Sequence, residues 1–169
     1  SGAELSDRLY AQADELGARL ELEEVLEIRD GTPKTVVTDY NTYTCTALIL
    51  ATGMKHRTLG LDREDTLPGI SYCAVCDGAF YTGQNVAMIG GGNSALQEAL
   101  LLSEVCSKVT VVQNLAFFTG EKKLADALTA RENVEVIFST VVAAYLSENG
   151  TLTGLRLRSD AGEERVLTV

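Results

Sequence analysis

Two cysteines separated by two residues, Cys73 and Cys76, give the clearest chemical signal in the sequence, and Asp77 follows them directly. Thiols at this spacing can close a readily reduced disulfide or clamp a metal ion, and the spacing alone does not decide between these uses. Asp77 favours the redox interpretation, because a carboxyl group beside the second thiol can donate or accept a proton while a thiolate forms. A turn aspartate ahead of a glycine is the structural alternative.

A metal site at the same cysteines would need further ligands. Tetrahedral zinc takes four, and the other candidates, Cys45, Cys106 and His56, are isolated in the sequence with no second Cys-x-x-Cys pair. We therefore predict no metal site, packing roles for Cys45 and Cys106, and a polar loop position for His56. A pair of merely buried cysteines is the remaining structural alternative for Cys73 and Cys76.

A glycine-rich turn lies downstream of the cysteine pair and matches the pattern G-x-G-x-x-A. Its residues are Gly90, Gly91, Gly92, Asn93, Ser94 and Ala95. The turn falls between a predicted strand and a predicted helix, which is the context that makes this pattern informative for dinucleotide binding. Glycines let a pyrophosphate approach the helix N-terminus, and the small Ala95 lets helix and strand pack closely. A glycine turn that holds no ligand is the structural alternative.

The end of the following strand is where the adenosine ribose of a bound dinucleotide would be recognised. An acidic residue at this position favours NAD, and a nearby arginine favours NADP. The chain carries Gln113 and Asn114 instead, followed by Leu115. Gln113 or Asn114 could form a hydrogen bond with a ribose hydroxyl, but neither residue supplies a guanidinium group for a 2′-phosphate. The residues alone therefore do not decide between NAD and NADP.

Strands and helices must position these motifs, and their periodicity can be followed along the chain. Ser1, with Glu4 in capping-box position, opens a predicted amphipathic helix. The predicted elements are a helix over 5–20, a hairpin of strands over 20–28 and 34–39 turning at 30–31, a strand over 43–51 that ends in a run over 47–51 typical of a buried parallel strand, an irregular junction over 54–69, a strand over 86–89, a helix from 94 to about 103, a strand over 109–112, a helix over about 122–130, a strand over 134–138, and alternating segments over 141–146, 152–158 and 165–169.

Composition limits the class of protein. The chain has 169 residues, 46% hydrophobic, with a formal charge of −10 and no cluster of basic residues of the kind that neutralises phosphates, so we predict no nucleic-acid partner. Its apolar stretches are far shorter than the roughly 18 residues that span a bilayer, so we predict no membrane partner. The closely paired cysteines favour a reducing compartment, and we expect a cytoplasmic protein.

The motifs together resemble the thioredoxin reductase family of low-molecular-weight flavoenzymes. The resemblance is carried by Cys-x-x-Cys-Asp-Gly over 73–78, by Gly-Gly-Gly-Asn-Ser-Ala over 90–95, by Ala-Thr-Gly over 51–53, and by Glu98 and Ala99 in the helix after the glycine turn. It implies an α/β, three-layer FAD/NAD(P)-binding (Rossmann-like) fold with two domains and antiparallel β-meander segments. It extends over nearly the whole chain.

The resemblance also implies an activity. In the family, electrons pass from NADPH through FAD to the cysteine pair and on to thioredoxin, in a homodimeric flavoprotein. By the matching positions, Cys76 would face the flavin, Cys73 would attack the partner disulfide and Asp77 would act as acid and base. Thr52 and Gly53 join residues 90–95 and Gln113 and Asn114 as expected cofactor contacts.

Two departures from the family pattern qualify these expectations. The flavin-binding G-x-G-x-x-G and the Gly-Asp motif of the family are absent, so we expect a fragment that is inactive by itself: the central part of the FAD-binding domain over 1–66 and the nucleotide-binding domain over 67–169. NADPH-using relatives carry a His-Arg-Arg stretch where this chain has 113–115, and a further arginine where it has Thr119. NADPH is therefore expected to bind poorly.

Three alternatives remain open. The flavoprotein could be fed by NADH or by ferredoxin, it could reduce another thioredoxin-like partner or a peroxiredoxin-linked protein, or the chain could be a non-catalytic module that binds a nucleotide or a metal.

Overall fold

The computed structural model describes residues 2–169, so the cap predicted at Ser1 lies outside the described residues. The chain packs as two compact units, one ending at Met54 and the other running from Lys55 to Val169. The domain boundary expected between residues 66 and 67 falls inside the second unit. Leu67 is buried there, and Glu64 accepts a hydrogen bond from Tyr72, which ties the predicted junction to the second unit. The assignment of domains over 1–66 and 67–169 stays a prediction.

The first unit contains one helix and a small sheet. Its elements are α1 (Gly2–Glu15), β1 (Val25–Arg29), β2 (Lys34–Thr38) and β3 (Thr42–Cys45). The strands form an antiparallel sheet in the order β1-β2-β3, which confirms the predicted hairpin. The predicted helix is confirmed as well, although it ends at Glu15 rather than near residue 20. Leu5 and Leu9, on its apolar side, are more than half exposed.

The predicted strand over 43–51 is confirmed only at its start, where residues 43–45 lie in β3, and the buried parallel run predicted over 47–51 is wrong. These residues belong to no strand, and Ile49 and Leu50 are 89% and 65% exposed. A strand that is apolar on both faces is stable only between parallel neighbours with covering layers on each side. The first unit, as far as it is described, supplies an antiparallel sheet and no parallel neighbour, so the run remains extended and uncovered.

The second unit contains the remaining helices and strands. They are α2 (Ala74–Asp77), a 3-10 turn (Gly78–Tyr81), β4 (Asn85–Ile89), α3 (Asn93–Val105), β5 (Lys108–Val112), α4 (Lys122–Thr129), β6 (Val134–Ile137), β7 (Thr140–Glu148), β8 (Thr151–Ser159) and β9 (Glu164–Thr168). Strands β4, β5 and β6 form a parallel sheet in that order, connected through α3 and α4. Strands β7, β8 and β9 form an antiparallel meander. These elements confirm the order predicted for this half of the chain.

Alternate residues of β5 divide the core of the second unit into two parts. Val109 and Val111 are fully buried in a cluster with Leu96 and Leu128 from the two helices. Val112, on the next position, is buried in a second cluster with residues of the meander, such as Leu157. Successive strand residues face opposite sides of a sheet, so the helices cover one side of the parallel sheet and the meander covers the other. The expected three-layer α/β arrangement is therefore confirmed in this unit.

Helix α3 provides a test of this core. Leu96 is fully buried, whereas Leu101 on the same helix is 37% exposed. We expect Leu96→Ala to lower the free energy of unfolding by about 2 to 5 kcal/mol, since the lost contacts leave a cavity that the packed helix and sheet cannot close. Urea denaturation would measure it. Leu101→Ala is the matched control, expected to cost about 1 kcal/mol, and an equal loss in the two variants would contradict this core.

Candidate functional site

The cysteine pair is held in one short turn. Cys73 precedes α2 in an extended conformation and caps it, and its carbonyl oxygen accepts hydrogen bonds from the amides of Cys76 (3.1 Å) and Asp77 (3.0 Å). The Cys76 amide also lies 3.2 Å from the Cys73 Sγ. This single helical turn brings the two sulfur atoms within bonding distance, and they form a disulfide. The structure thus brings together the two cysteines that the sequence analysis selected.

The surface around the pair is open on one side. Cys76 is exposed and Cys73 is half-buried, and between them Ala74 is buried in the core beside α3. Two apolar side chains close to the pair in sequence, Val75 and Phe80, are 79% and 78% exposed. A disulfide at this position is accessible to an external thiol or disulfide, as exchange requires.

Asp77 has a partner that the sequence analysis missed. The Ser71 hydroxyl donates a hydrogen bond to Asp77 Oδ2 at 2.7 Å, and its oxygen accepts one from the Cys73 amide at 3.2 Å. Ser71 therefore links the carboxylate to the main chain of the first cysteine. A serine two residues before a cysteine carries no recognisable pattern, so only the folded turn reveals this link.

Glu98 attaches the cysteine turn to α3. One of its carboxylate oxygens, Oε2, accepts the Ala74 amide at 3.1 Å, across 24 positions of sequence. The packing is close at the other end of α2 as well, where a Cβ on Gly78 would lie 3.2 Å from Leu102 Cδ2. The sequence analysis used Glu98 only as part of the family resemblance and assigned it no role.

A buried carboxylate anchors the residue just before Cys73. Glu64 is 7% exposed and accepts hydrogen bonds from the Leu59 amide (2.8 Å), the Leu61 amide (3.2 Å) and the Tyr72 hydroxyl (2.9 Å). Burial alone would raise the pKa of the Glu64 carboxyl, but these donors together hold its pKa below the ordinary value. His56, predicted as a loop residue, stacks on the Tyr72 ring with centroids 3.8 Å apart.

The same carboxylate affects the phenol that it binds. Burial and the hydrogen bond to Glu64 raise the pKa of Tyr72 to about 12. Burial disfavours the charged phenolate, and the Glu64 carboxylate both binds the phenol proton and repels a second negative charge. Tyr72 therefore stays neutral across the physiological range, and its hydroxyl keeps donating a hydrogen bond to the Glu64 carboxylate. The main chain entering Cys73 is fixed by this bond.

The glycine turn has the geometry expected of a phosphate cradle. Gly90 has a φ of +123°, in a region that favours glycine, and a Cβ on Gly91 would lie 2.7 Å from the Gln113 side chain. Gly92 precedes α3, and no side chain caps the helix there. Backbone amides in the first turn of a helix of this length are suitable donors for an anionic pyrophosphate. The residues present therefore fit the phosphate part of a pyridine nucleotide.

The loop after β5 packs over the glycine turn. The Gly91 carbonyl accepts hydrogen bonds from the amides of Thr119 and Gly120, each at 2.9 Å, and the Asn93 Oδ1 accepts the Glu121 amide at 2.7 Å. These bonds join the loop to the start of α3. They also place an acidic residue, rather than a basic one, beside the first residue of that helix.

Gln113 and Asn114 differ in what they can reach. Gln113 is 3% exposed, and its side-chain amide donates to the Phe117 carbonyl at 3.1 Å, so it is occupied in holding the loop. Asn114 is exposed. Of the two residues expected to meet the ribose, Asn114 is the one whose side chain is available to a ligand.

Thr52 and Gly53 lie in the first unit, in the irregular stretch that follows β3. Both are exposed, and a Cβ on Gly53 would meet no atom within 4 Å. The described residues build no cradle around them, so their expected contacts with FAD have no support from the structure of this unit. Their contacts with FAD stay an expectation.

The other cysteines behave as expected for packing residues. Cys106 is buried at the end of α3, and burial raises the pKa of its thiol. Cys45 is half-buried at the end of β3. Within residues 2–169, no three side chains of His, Cys, Asp or Glu come together in an arrangement that could hold a metal ion. No helix in the same range is long and apolar enough to cross a membrane.

Comparison with known proteins identifies the family of the chain. A family profile described as pyridine nucleotide-disulphide oxidoreductase matches residues 4–169. The chain belongs to this family. It is 36% identical to a thioredoxin reductase of Listeria monocytogenes over 99% of this chain and 54% of that protein. It is 40% identical to a bifunctional thioredoxin reductase/thioredoxin of Mycobacterium leprae over 100% of this chain and 38% of that protein.

A solved structure of a thioredoxin reductase also resembles the chain. The thioredoxin reductase of Lactococcus lactis superposes with a TM-score of 0.76 at 29% sequence identity, over 99% of this chain and 56% of that one. The resemblance stated from the motifs is therefore confirmed. The chain spans about half the length of the curated relatives it matches.

The bond from Glu98 can be tested in this family member by comparing two substitutions. We expect Glu98→Ala to lower the free energy of unfolding by about 1 to 3 kcal/mol, because the Ala74 amide loses its acceptor at a buried residue. Glu98→Gln keeps an acceptor oxygen at the same position and is expected to lose less than half as much. Urea denaturation of the oxidised protein measures the two values, and equal losses would show that the hydrogen bond is not what Glu98 contributes.

Proposed function

We propose that this chain is the part of a flavin-dependent disulfide oxidoreductase that carries the redox cysteines and binds the pyridine nucleotide. The complete protein would pass electrons from a reduced cofactor, by way of FAD, to Cys73 and Cys76 and then to thioredoxin. The observation that carries the proposal is the disulfide at an exposed turn directly before Asp77, attached by Glu98 to the helix of a glycine turn. The domain assignments over 1–66 and 67–169 belong to the same proposal.

The cysteine pair performs the exchange in two displacements. The Cys73 thiolate attacks one sulfur of the partner disulfide, and the other partner sulfur leaves as a thiolate that takes up a proton. The Cys76 thiolate then attacks Cys73 Sγ and releases the second partner thiol, which leaves the Cys73–Cys76 disulfide. Asp77 would accept the thiol protons and return them to the leaving thiolates. Two electrons and two protons thus move from the pair to the partner.

FAD belongs to the proposal for the whole protein, because thioredoxin reductases are the relatives that match this chain. The displacements above involve only the cysteine pair, Asp77 and the partner disulfide. Thioredoxin as partner, a homodimeric assembly and a cytoplasmic location are proposed on the same similarity. A peroxiredoxin-linked or other thioredoxin-like acceptor would use the same exchange chemistry.

Trapping experiments on the reduced full chain test the proposal. Dithiothreitol would reduce the cysteine pair, and oxidised thioredoxin would be added after its removal. Cys76→Ser should accumulate a mixed disulfide at Cys73, because the second displacement is blocked, whereas Cys73→Ser should trap far less thioredoxin. Mass spectrometry of the products measures both.

Cys45→Ser is the matched control for that experiment and should release reduced thioredoxin as the unaltered chain does. Trapping through Cys45 or Cys106, or full thioredoxin reduction by a chain lacking both Cys73 and Cys76, would exclude the proposed exchange.

We propose NADH rather than NADPH as the preferred nucleotide. The support is electrostatic: the positions that follow β5 carry Asn114 and Leu115 where a 2′-phosphate would require cations, and the loop places Glu121 beside the start of α3. Lys122, the nearest cation downstream, is paired with Asp126 at 2.6 Å. A phosphate arriving there would meet no charge-assisted, bidentate donor.

Introducing the missing cations tests this preference. In calorimetric titrations, NADPH should bind the unaltered chain no more tightly than NADH. The double substitution Asn114→Arg and Leu115→Arg should raise the ratio of NADPH affinity to NADH affinity about tenfold, because only NADPH carries the added phosphate. Asn114→Gln with Leu115→Met is the neutral control. A clear preference of the unaltered chain for NADPH would contradict the proposal.

The same lack of cations favours a second candidate donor. A flavoprotein that receives its electrons from ferredoxin would not need to recognise a 2′-phosphate, and the glycine turn would then be an inherited feature. Weak binding of both nucleotides in the titrations above would favour this candidate over NADH.

A further inference from the structure

We propose that Ser71 is a positioning residue that holds the Asp77 carboxylate ready for proton transfer at the cysteine pair. This inference rests on the proposed function, since it assigns Asp77 the acid and base role. It adds a residue that neither the motif nor the family resemblance selected.

The hydrogen bond itself has a defined direction. A serine hydroxyl has one proton, and the nearest acceptor for it is Asp77 Oδ2 at 2.7 Å, whereas the Cys73 carbonyl lies at 3.5 Å. A hydroxyl bonded to an ionised carboxylate forms a charge-assisted bond, which is stronger and more directional than a neutral one. Ser71 therefore fixes one oxygen of Asp77 and the rotation of its carboxylate.

The same hydroxyl oxygen also ties Asp77 to the nucleophile. It accepts the Cys73 amide at 3.2 Å, while the Asp77 amide donates to the Cys73 carbonyl at 3.0 Å. Ser71, Cys73 and Asp77 form a closed ring of hydrogen bonds around the turn. Any rotation of the carboxylate must break a bond in this ring.

The second carboxylate oxygen is left for chemistry. Among the described residues, no other side chain or backbone group is hydrogen-bonded to the Asp77 carboxylate. A carboxylate held through one oxygen presents the other in a fixed direction, which is what repeated proton transfer needs. The Ser71 proton remains on Ser71 throughout, and each thiol proton passes to Asp77 and then to a leaving partner thiolate.

Single-turnover exchange with an aliphatic disulfide tests the inference. The reduced full chain would be mixed with hydroxyethyl disulfide, whose leaving thiolate must be protonated, and acid quenching with mass spectrometry would follow formation of the Cys73–Cys76 disulfide. Ser71→Ala should slow the reaction about threefold to tenfold, and Ser71→Thr, which keeps the hydroxyl, should remain within about twofold of the unaltered chain.

A double-substitution cycle separates positioning from a general structural effect. Asp77→Asn should slow exchange about tenfold, and adding Ser71→Ala to it should slow exchange by less than about twofold more, because the serine then has no carboxylate to hold. If Ser71→Ala slows the Asp77→Asn variant as much as it slows the unaltered chain, Ser71 does not act through Asp77 and the inference is wrong. It is also wrong if Ser71→Ala has no effect while Asp77→Asn does.

Failure of the proposed function gives a different result. In that case, a chain in which both Cys73 and Cys76 are replaced by serine would consume hydroxyethyl disulfide as fast as the unaltered chain does. Alternatively, Asp77→Asn would leave the rate of exchange unchanged. The first outcome removes the cysteine pair from the chemistry, and the second removes Asp77 and with it the reason for a positioning serine.

Discussion

The carbonyl oxygen of Cys73 is the hydrogen-bond acceptor that shapes the cysteine turn. By binding the amides of Cys76 and Asp77 together, it makes a single turn of helix in which residues three apart lie side by side. The sulfur atoms can bond only because of this spacing, and Asp77 is brought to the same turn by the same acceptor. An extended arrangement of these residues would place successive side chains on opposite sides and separate the sulfurs.

So short a helix is not stable by itself, and its neighbours hold it in place. Glu98 binds its first amide, buried Ala74 packs against α3, and Glu64 fixes Tyr72 just before the turn. These contacts leave the exposed residue Cys76 on a turn whose backbone is held from several directions. Such rigidity would suit the repeated opening and closing of the disulfide that the proposed exchange requires.

Helix α3 serves both candidate sites. Its N-terminus follows the glycine turn at Gly92, and Glu98 lies six positions further along, a rise of about 9 Å at helical spacing. The loop after β5 is attached to the same N-terminus, which it supplies with Glu121 rather than a basic side chain. The candidate nucleotide site and the cysteine turn are thus built on one rigid element, while the charge around the candidate nucleotide site comes from a separate loop.

Local patterns along the chain were sufficient for the strands of the second unit, for helices α3 and α4 and for the two motifs, but they did not predict α2 or the 3-10 turn. The spacing of apolar residues in β4, α3 and β5 reflects which side of each element is buried. Cys73 and Cys76, like residues 90–95, lie close together in the sequence, so their spacing alone is enough to recognise each motif. The same reasoning was wrong at residues 47–51, because an apolar run indicates burial only where other elements are present to cover it.

Tertiary structure alone decided which side chains support those motifs. Glu98 meets Ala74 across 24 positions, and Gln113 turns inward to Phe117 although its position suggested a ligand contact. Ser71 lies only six positions from Asp77, yet its bond depends on the turn between them. A hydrogen bond requires both partners at about 3 Å in the right direction, and that distance is a property of the folded backbone rather than of residue types.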